Sequence, residues 1–350
     1  MNKKGFTLVE LLAVIFIIIL IGSLAFVSIN EKGEKFKDMS NEKFEEMIET
    51  AAKGYVAEDA KLTNSLKRGD TVTITLRQLV ESKYLSNKEL KSPKTYEEID
   101  IDLSTVVVNY LNYNYVYVVN LNDPKGEMLN NTIAMDGLIL NLAGNSTKKD
   151  SSSWTNSVNN EKIELKNFAG TYTSGWYGKG LVFDGEDDGI YLGDKFKDLF
   201  KNDFTMEIYT RVDDSGRAII LGNYNNANTI NIEKFNQNGI LFYNYNSSNT
   251  DGFTSKEAYF NSSDKMNLIY TFDKDTGTFS FGYNGVIFES ITNSVLKENY
   301  DFTDAWIGRD SRTGTTCLKG TIYSIRIYDR VLGFGELQKN YSIDKSLYMN

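Results

Sequence analysis

A chain of 350 residues is too long for one ordinary domain and points to two or three. Its formal charge of −9 gives no basic footprint, so nucleic acid is not an expected partner. Histidine is absent, which removes histidine-based acid–base and nucleophilic catalysis and the usual zinc sites, and Cys317, standing alone, can form neither an internal disulfide nor a cysteine metal cluster.

The first element is an apolar run from Phe6 to Val27. A helix rising about 1.5 Å per residue reaches about 33 Å over this run, enough for a hydrocarbon core of about 30 Å. Lys3 and Lys4 precede it, whereas Glu31, Lys32, Glu34 and Lys35 follow in balance. The positive-inside bias therefore places the N-terminus in the cytoplasm and the rest of the chain outside. A secretory signal is the competing reading, but its apolar region usually runs about 7 to 15 residues and ends at a small-residue cleavage site. Here the run is longer, and Glu10 lies inside it. An acidic side chain at a bilayer centre costs about 2.5 to 3.5 kcal/mol on insertion scales, so Glu10 demands a functional reason.

"KKGFTLVE" followed by an unbroken apolar helix resembles the processing site of type IV pilins and pseudopilins. The resemblance implies that a prepilin peptidase cuts after Gly5 and methylates the new amino terminus on Phe6, and that Glu10 is the filament-assembly residue. Cleavage leaves a positive amine on Phe6 at the edge of an apolar bundle, where a carboxylate on a neighbouring subunit neutralises it. Such a pair fixes helix register more than it adds net stability. The implied partners are the peptidase, other pilin subunits and the membrane; the implied location is the cell membrane as precursor, then the cell surface or pilus.

Past the apolar run, Phe36, Met39, Phe44, Met47, Ile48, Ala51, Ala52 and Tyr55 recur at spacings of three and four, which predicts that the helix continues. Gly22 and Gly33 are the places where it can bend. "TVTITLRQLVESKYLSNKELKSPKT" then predicts a short strand, a short helix over Leu76 to Ser82 and a Pro-marked turn, and "LSTVVVNYLNYNYVYVVNL" predicts a hairpin about Leu111 to Asn114. This part is similar to the small globular domain of Gram-positive pilin-like proteins.

"NDPKGEMLNN" is polar and carries Pro124 and Gly126, as a linker does. After it, short strands recur every 8 to 12 residues between Gly, Asn and Asp, from "EKIELKNF" and "GLVFDG" to "GTIYSIRIYDR". No helical period interrupts them before "GFGELQKNYSIDK", so the expectation is an antiparallel sandwich. "DGLILNLAG", "GLVFDGEDDGIYLG", "NDFTMEIYTRV" and "LKGTIYSIRIYDRVLGFGELQKNY" resemble successive landmarks of the concanavalin A-like lectin/glucanase superfamily, in particular laminin-G-like modules. The resemblance implies a jelly-roll sandwich whose concave face or rim loops bind carbohydrate in many relatives, often with calcium nearby.

The expected fold is thus α+β. It comprises a leader (1–5), a transmembrane and assembly helix (6–27), the rest of the pilin helix with a small sheet (28–121), a linker (122–132) and a concanavalin A-like sandwich (133–350).

Glucanases of the superfamily use a Glu-x-Asp-x-x-Glu strand, and retaining chemistry needs two carboxyl groups about 5 to 5.5 Å apart. Glu186 and Asp188 give the first half of that pattern, but Tyr191 stands third; Glu207 is alone on its strand, and the arginines are scattered. The expectation is therefore a binding protein rather than an enzyme. "DGEDDG" offers Asp184, Asp187 and Asp188 as oxygen ligands for Ca²⁺, and the same residues suit a solvated hairpin turn. Trp154, Trp176 and Trp306, with Tyr191, Tyr209, Tyr243, Tyr245 and Tyr283, can stack on sugar rings or pack within the sandwich, and Trp176 in the Gly-rich "TSGWYGKG" is the first choice for a glycan contact. The function these features indicate is a minor or tip pilin that displays a lectin-like domain toward carbohydrate or a host surface. The alternatives are a membrane-anchored glycan-active enzyme and a pseudopilin of a secretion or DNA-uptake system. "TTCLKG" places Cys317 in or beside a strand.

Overall fold

The structure is a computed structural model. It describes residues 43–348 apart from 87–89, 94–95, 112–113, 127, 130–132, 147–148, 213–216, 224–227, 236–238, 247–249, 255–263, 298–299 and 311–315. The chain divides into two compact units, Met1–Asn130 and Asn131–Asn350.

In the first unit residues 43–58 form helix α1. Asp59 breaks it and starts helix α2 (Ala60–Lys67), its carboxylate accepting the Lys61 and Leu62 N–H groups at 2.8 and 3.2 Å. Strand β1 (Val72–Thr75) runs into helix α3 (Leu76–Glu81), where Thr75 and Gln78 make a reciprocal capping box. Strands β2 (Thr105–Leu111) and β3 (Asn114–Asn120) complete an antiparallel sheet in the order β1-β2-β3. Ile48, Ala52 and Val56, one helical stripe of α1, share a core with Val106, Val108 and Val119 of the sheet.

In the second unit the chain runs through β4 (Leu138–Ala143), β5 (Ser153–Thr155), β6 (Lys162–Lys166), β7 (Gly175–Tyr177), β8 (Gly180–Asp184), β9 (Gly189–Gly193) and β10 (Phe204–Val212). It continues through β11 (Ala218–Gly222), β12 (Asn228–Phe235), β13 (Gly239–Asn246), β14 (Thr250–Thr254), β15 (Met266–Asp273) and β16 (Thr278–Tyr283). Strands β17 (Val286–Thr292), β18 (Ala305–Ile307) and β19 (Lys319–Tyr328) come last, followed by helix α4 (Phe334–Tyr348).

Among the described residues these strands form two eight-stranded sheets. The first has the order β17-β16-β15-β10-β19-β8-β7, with β4 also on β19, and the second β14-β13-β12-β11-β18-β9-β6-β5. Alternate side chains of both sheets, among them Leu181, Phe204, Met206 and Ile325 from the first and Ile163, Ile190, Ile220 and Ile307 from the second, enter one core, so the unit is a β-sandwich. Helix α4 packs Leu337 against Ile269 and Tyr328, and Tyr348 against Tyr209 and Tyr323, on the far side of the first sheet.

The described part of the chain is therefore mostly β-sandwich with few helices. The helix expected over 6–27 lies outside the described residues, and among those described no helix is long and apolar enough to cross a membrane.

Candidate functional site

Gly5, Phe6 and Glu10 lie outside the described residues. The other candidates all fall on the sandwich.

"DGEDDG" is not the turn of a hairpin. β8 pairs with β7 and β19, whereas β9 pairs with β6 and β18, so the segment is a corner at which the chain leaves one sheet for the other. Gly185, at φ +87°, permits the bend. The corner draws Asp184, Asp187 and Asp188 together, each offering a carboxylate oxygen within 4.8 Å of the others. Asp188 is buried, accepting the Ser174 hydroxyl and the Asp184 N–H, both at 2.9 Å. Burial pushes its carboxyl up to about 7; the two hydrogen bonds oppose the shift, and the Asp184 and Asp187 charges add to it. Three mutually repelling carboxylates on a bent loop form an all-oxygen donor set suited to a hard cation such as Ca²⁺. The Asp187 carbonyl is held from outside by Asn167 Nδ2 at 3.0 Å and Arg309 Nη1 at 2.6 Å.

Trp176 stands on an edge strand rather than in a loop, because residues 175–177 pair with β8. Its Nε1 donates to the Asp150 carbonyl at 2.9 Å, its ring meets Trp154 edge-on at 4.8 Å, and Lys149 lies 5.2 Å from its centroid. The adjoining cavity of about 40 Å³ is far smaller than a sugar ring.

The remaining aromatics divide between interior and surface. Tyr209 is fully buried, and the side chains of Tyr243 and Tyr245 lie outside the described residues. Tyr191 and Trp306 are half-buried on neighbouring strands of the second sheet, with ring centroids 4.6 Å apart. Both are among the aromatic candidates, but no local signal ranks them above Trp176, since their pairing joins strands far apart in sequence.

Glu207, solitary in the sequence, belongs to a closed polar network beneath α4. It accepts hydrogen bonds from Asn340 at 2.5 Å and Asn267 at 3.3 Å, and Asn340 also donates to the Tyr328 hydroxyl. Arg326 and Asp344 form a buried ion pair beside it. Burial lifts Glu207 to about 7, against the pull of Arg326 and with the push of Asp344. Both carboxylates are shut from solvent, so no substrate reaches them in this arrangement. Cys317 is buried beside β19, where burial pushes its thiol upward.

Comparison with known proteins places family matches on both parts of the chain. Residues 1–26 match the prokaryotic N-terminal methylation motif, and residues 184–338 match a laminin G model of the concanavalin A-like lectin/glucanases superfamily. Among curated proteins none matches. Among solved structures, the CBM40 of Ruminococcus gnavus IT-sialidase bound to alpha2,3 sialyllactose is 15% identical, with 46% of this chain and 96% of that chain covered, at a TM-score of 0.39. Trypanosoma rangeli sialidase in complex with sialic acid is 13% identical over 73% of this chain, at 0.48; the match spans only 46% of that chain. The binding domain of botulinum neurotoxin DC in complex with SialylT is 13% identical over 61% and 53% of the two chains, at 0.45. The chain carries the type IV pilin signal at its N-terminus and a concanavalin A-like, laminin-G-type domain in its C-terminal part.

Proposed function

We propose that this protein is a type IV pilin-like subunit, minor or at the tip of the filament, that displays a lectin-like domain for adhesion to carbohydrate at the cell surface. The observation that carries the reading is the presence in one chain of the methylation motif and the concanavalin A-like domain. In this reading residues 1–5 are the leader and 6–27 the membrane and assembly helix. Residues 28–121 form the rest of the pilin part, 122–132 the linker and 133–350 the jelly-roll module. Helix α1 on its three-stranded sheet supports the assignment of the pilin part.

Prepilin peptidase cuts between Gly5 and Phe6 and methylates Phe6. Glu10 then neutralises the new amine of a neighbouring subunit as the filament grows. Asp184, Asp187 and Asp188 hold Ca²⁺ at the sheet corner. The module binds and does not hydrolyse.

Mass spectrometry of the protein from its producing cells tests the first half of the reading. A chain beginning at N-methylated Phe6 supports it, and one that retains Met1 to Gly5 refutes it. Glu10→Ala is expected to be processed normally and lost from filaments. For the second half, the full chain in detergent is applied to a glycan array and, in parallel, incubated with the same glycans. Binding without turnover supports the adhesin; turnover makes the protein an enzyme.

A further inference from the structure

Strand register on the second sheet lays Glu164, Tyr191, Trp306, Gly222 and Asn231 in one transverse row over five neighbouring strands. Their sequence neighbours Ile163, Leu165, Ile190, Leu192, Ala305, Ile307, Ile230 and Ile232 enter the sandwich core, so the row lies on the sheet's outer face. At its centre the Tyr191 and Trp306 rings are tilted by 49°. Lys166 stands 5.7 Å from the Tyr191 centroid, and the Arg309 guanidinium 5.0 Å from that of Trp306.

Two glycines give this row its floor. A Cβ on Gly189 would lie 2.6 Å from Arg309 Cδ and 2.9 Å from Trp306 Cε3, and a Cβ on Gly222 would lie 2.4 Å from Asn231 Oδ1. The indole, the guanidinium and the amide therefore lie close over bare backbone.

Each cation beside the row already has hydrogen-bond partners. Lys166 pairs with Glu164 at 2.5 Å, Arg217 pairs with Glu233, and Arg309 donates to the Asp187 and Asp310 carbonyls at 2.6 and 2.9 Å. Trp306 Nε1 and Asn231 Oδ1, in contrast, are buried with no hydrogen-bond partner among the described residues, and Asn231 is only 2% exposed. Folded proteins seldom leave such a donor and acceptor unmatched.

We infer that this row is the glycan site of the module and that it takes a neutral pyranose, an inference that rests on the proposed lectin reading. The C–H face of the sugar stacks on Tyr191 and Trp306. Its hydroxyls meet the solvent-accessible Glu164–Lys166 pair beside the two rings. A carboxylated sugar is disfavoured because Lys166 and Arg217 are already paired with the carboxylates of Glu164 and Glu233.

The test uses the full chain in detergent and an array that carries neutral oligosaccharides, including lactose and cellobiose, beside 3′-sialyllactose. The strongest array ligand is then titrated while tryptophan fluorescence is followed. Neutral glycans are expected to bind, Tyr191→Ala to weaken binding at least tenfold, and Trp306→Phe to remove the fluorescence response. Exposed Glu164→Ala guards against misfolding and is expected to weaken binding as well. Binding confined to sialylated glycans overturns the neutral-sugar assignment. Unchanged affinity in Tyr191→Ala and Glu164→Ala, or a response lost in Trp176→Phe and kept in Trp306→Phe, overturns this location and leaves the lectin reading standing. Failure to bind any glycan overturns both.

Discussion

Arg326 on β19 and Asp344 on α4 meet through two parallel hydrogen bonds of 2.7 and 2.5 Å, with both side chains shut away from solvent. The Ser324 hydroxyl adds a third bond to Asp344 at 3.1 Å. The pair fastens the C-terminal helix to the first sheet at a point where neither charge has water to fall back on. Removing one partner of a buried pair typically costs about 3 to 5 kcal/mol, whereas replacing both by apolar groups is often neutral. Asp344→Ala is expected to destabilise the protein by about that amount in denaturant titration. The double variant Arg326→Met, Asp344→Leu is expected to recover most of the loss. A midpoint barely moved by Asp344→Ala would show that α4 is held by its apolar face alone.

Glu207, in the same network, makes stability depend on pH. Folded Glu207 keeps its proton up to about pH 7, while the unfolded side chain releases it near the ordinary carboxylate value, so the folded state binds the extra proton between the two. The stability this contributes is complete below the unfolded value and is lost as pH rises through about 7. Its size is on the order of 3 kcal/mol at about 1.4 kcal/mol per unit of pKa shift. Thermal melting of the full chain is expected to fall between pH 5 and 8, and Glu207→Gln, which mimics the protonated form, to flatten that slope. A slope of equal steepness in the variant assigns the effect elsewhere.

How much of this was legible in the sequence depends on the range of the interaction. The β2–β3 hairpin, helix α3 and helix α4 are each written in one stretch, through alternation, a Thr–Gln capping box or a break in the strand rhythm. The corner at "DGEDDG" could not be told from a hairpin turn, because Gly and Asp serve both, and only the pairing of β8 and β9 with different sheets separates them. On β10, Thr205, Glu207 and Tyr209 alternate with core residues as a solvent face would, yet the segment at Arg330 to Leu332 covers Thr205 and α4 covers Glu207 and Tyr209. The Tyr191–Trp306 contact likewise depends on a register between remote strands that no local pattern encodes. The N-terminal methylation motif over residues 1–26 is the reverse case, since it is contained in one linear stretch.

The acidic corner predicts a response to calcium. Asp188 is buried beside two other carboxylates, so at neutral pH its charge is opposed by burial and by its neighbours, and a divalent cation relieves both. A ligand that binds only the folded state at a hundred times its Kd adds about 2.7 kcal/mol. Melts of the full chain at pH 7.5 are therefore expected to rise with millimolar calcium over chelator. Asp188→Asn is expected to raise the chelator melt and to abolish the calcium response. Coincident melts of the wild-type chain in calcium and chelator would reduce the corner to a bend.

Gly189 lies beneath Trp306 and Arg309 and next to Asp188 in the chain. Gly189→Ala places a methyl group within 2.9 Å of both side chains, closer than any relaxed contact allows. Backbone pairing with Lys166 can persist, because a β-strand accepts alanine, so the cost is one of overpacking, about 1 to 3 kcal/mol. The indole and guanidinium must lift from the sheet to make room. Glycan binding is therefore expected to fall at least tenfold in a protein that still melts cooperatively within several degrees of the parent, as read by array titration and calorimetry. Gly178→Ala, at a turn with open space around the new methyl group, tests for general damage: it is strained by its φ of +55° yet touches neither ring. Equal loss of binding in both variants would mean that the Gly189 effect is one of stability, and that the flat seating of Trp306 is not what the glycan reads.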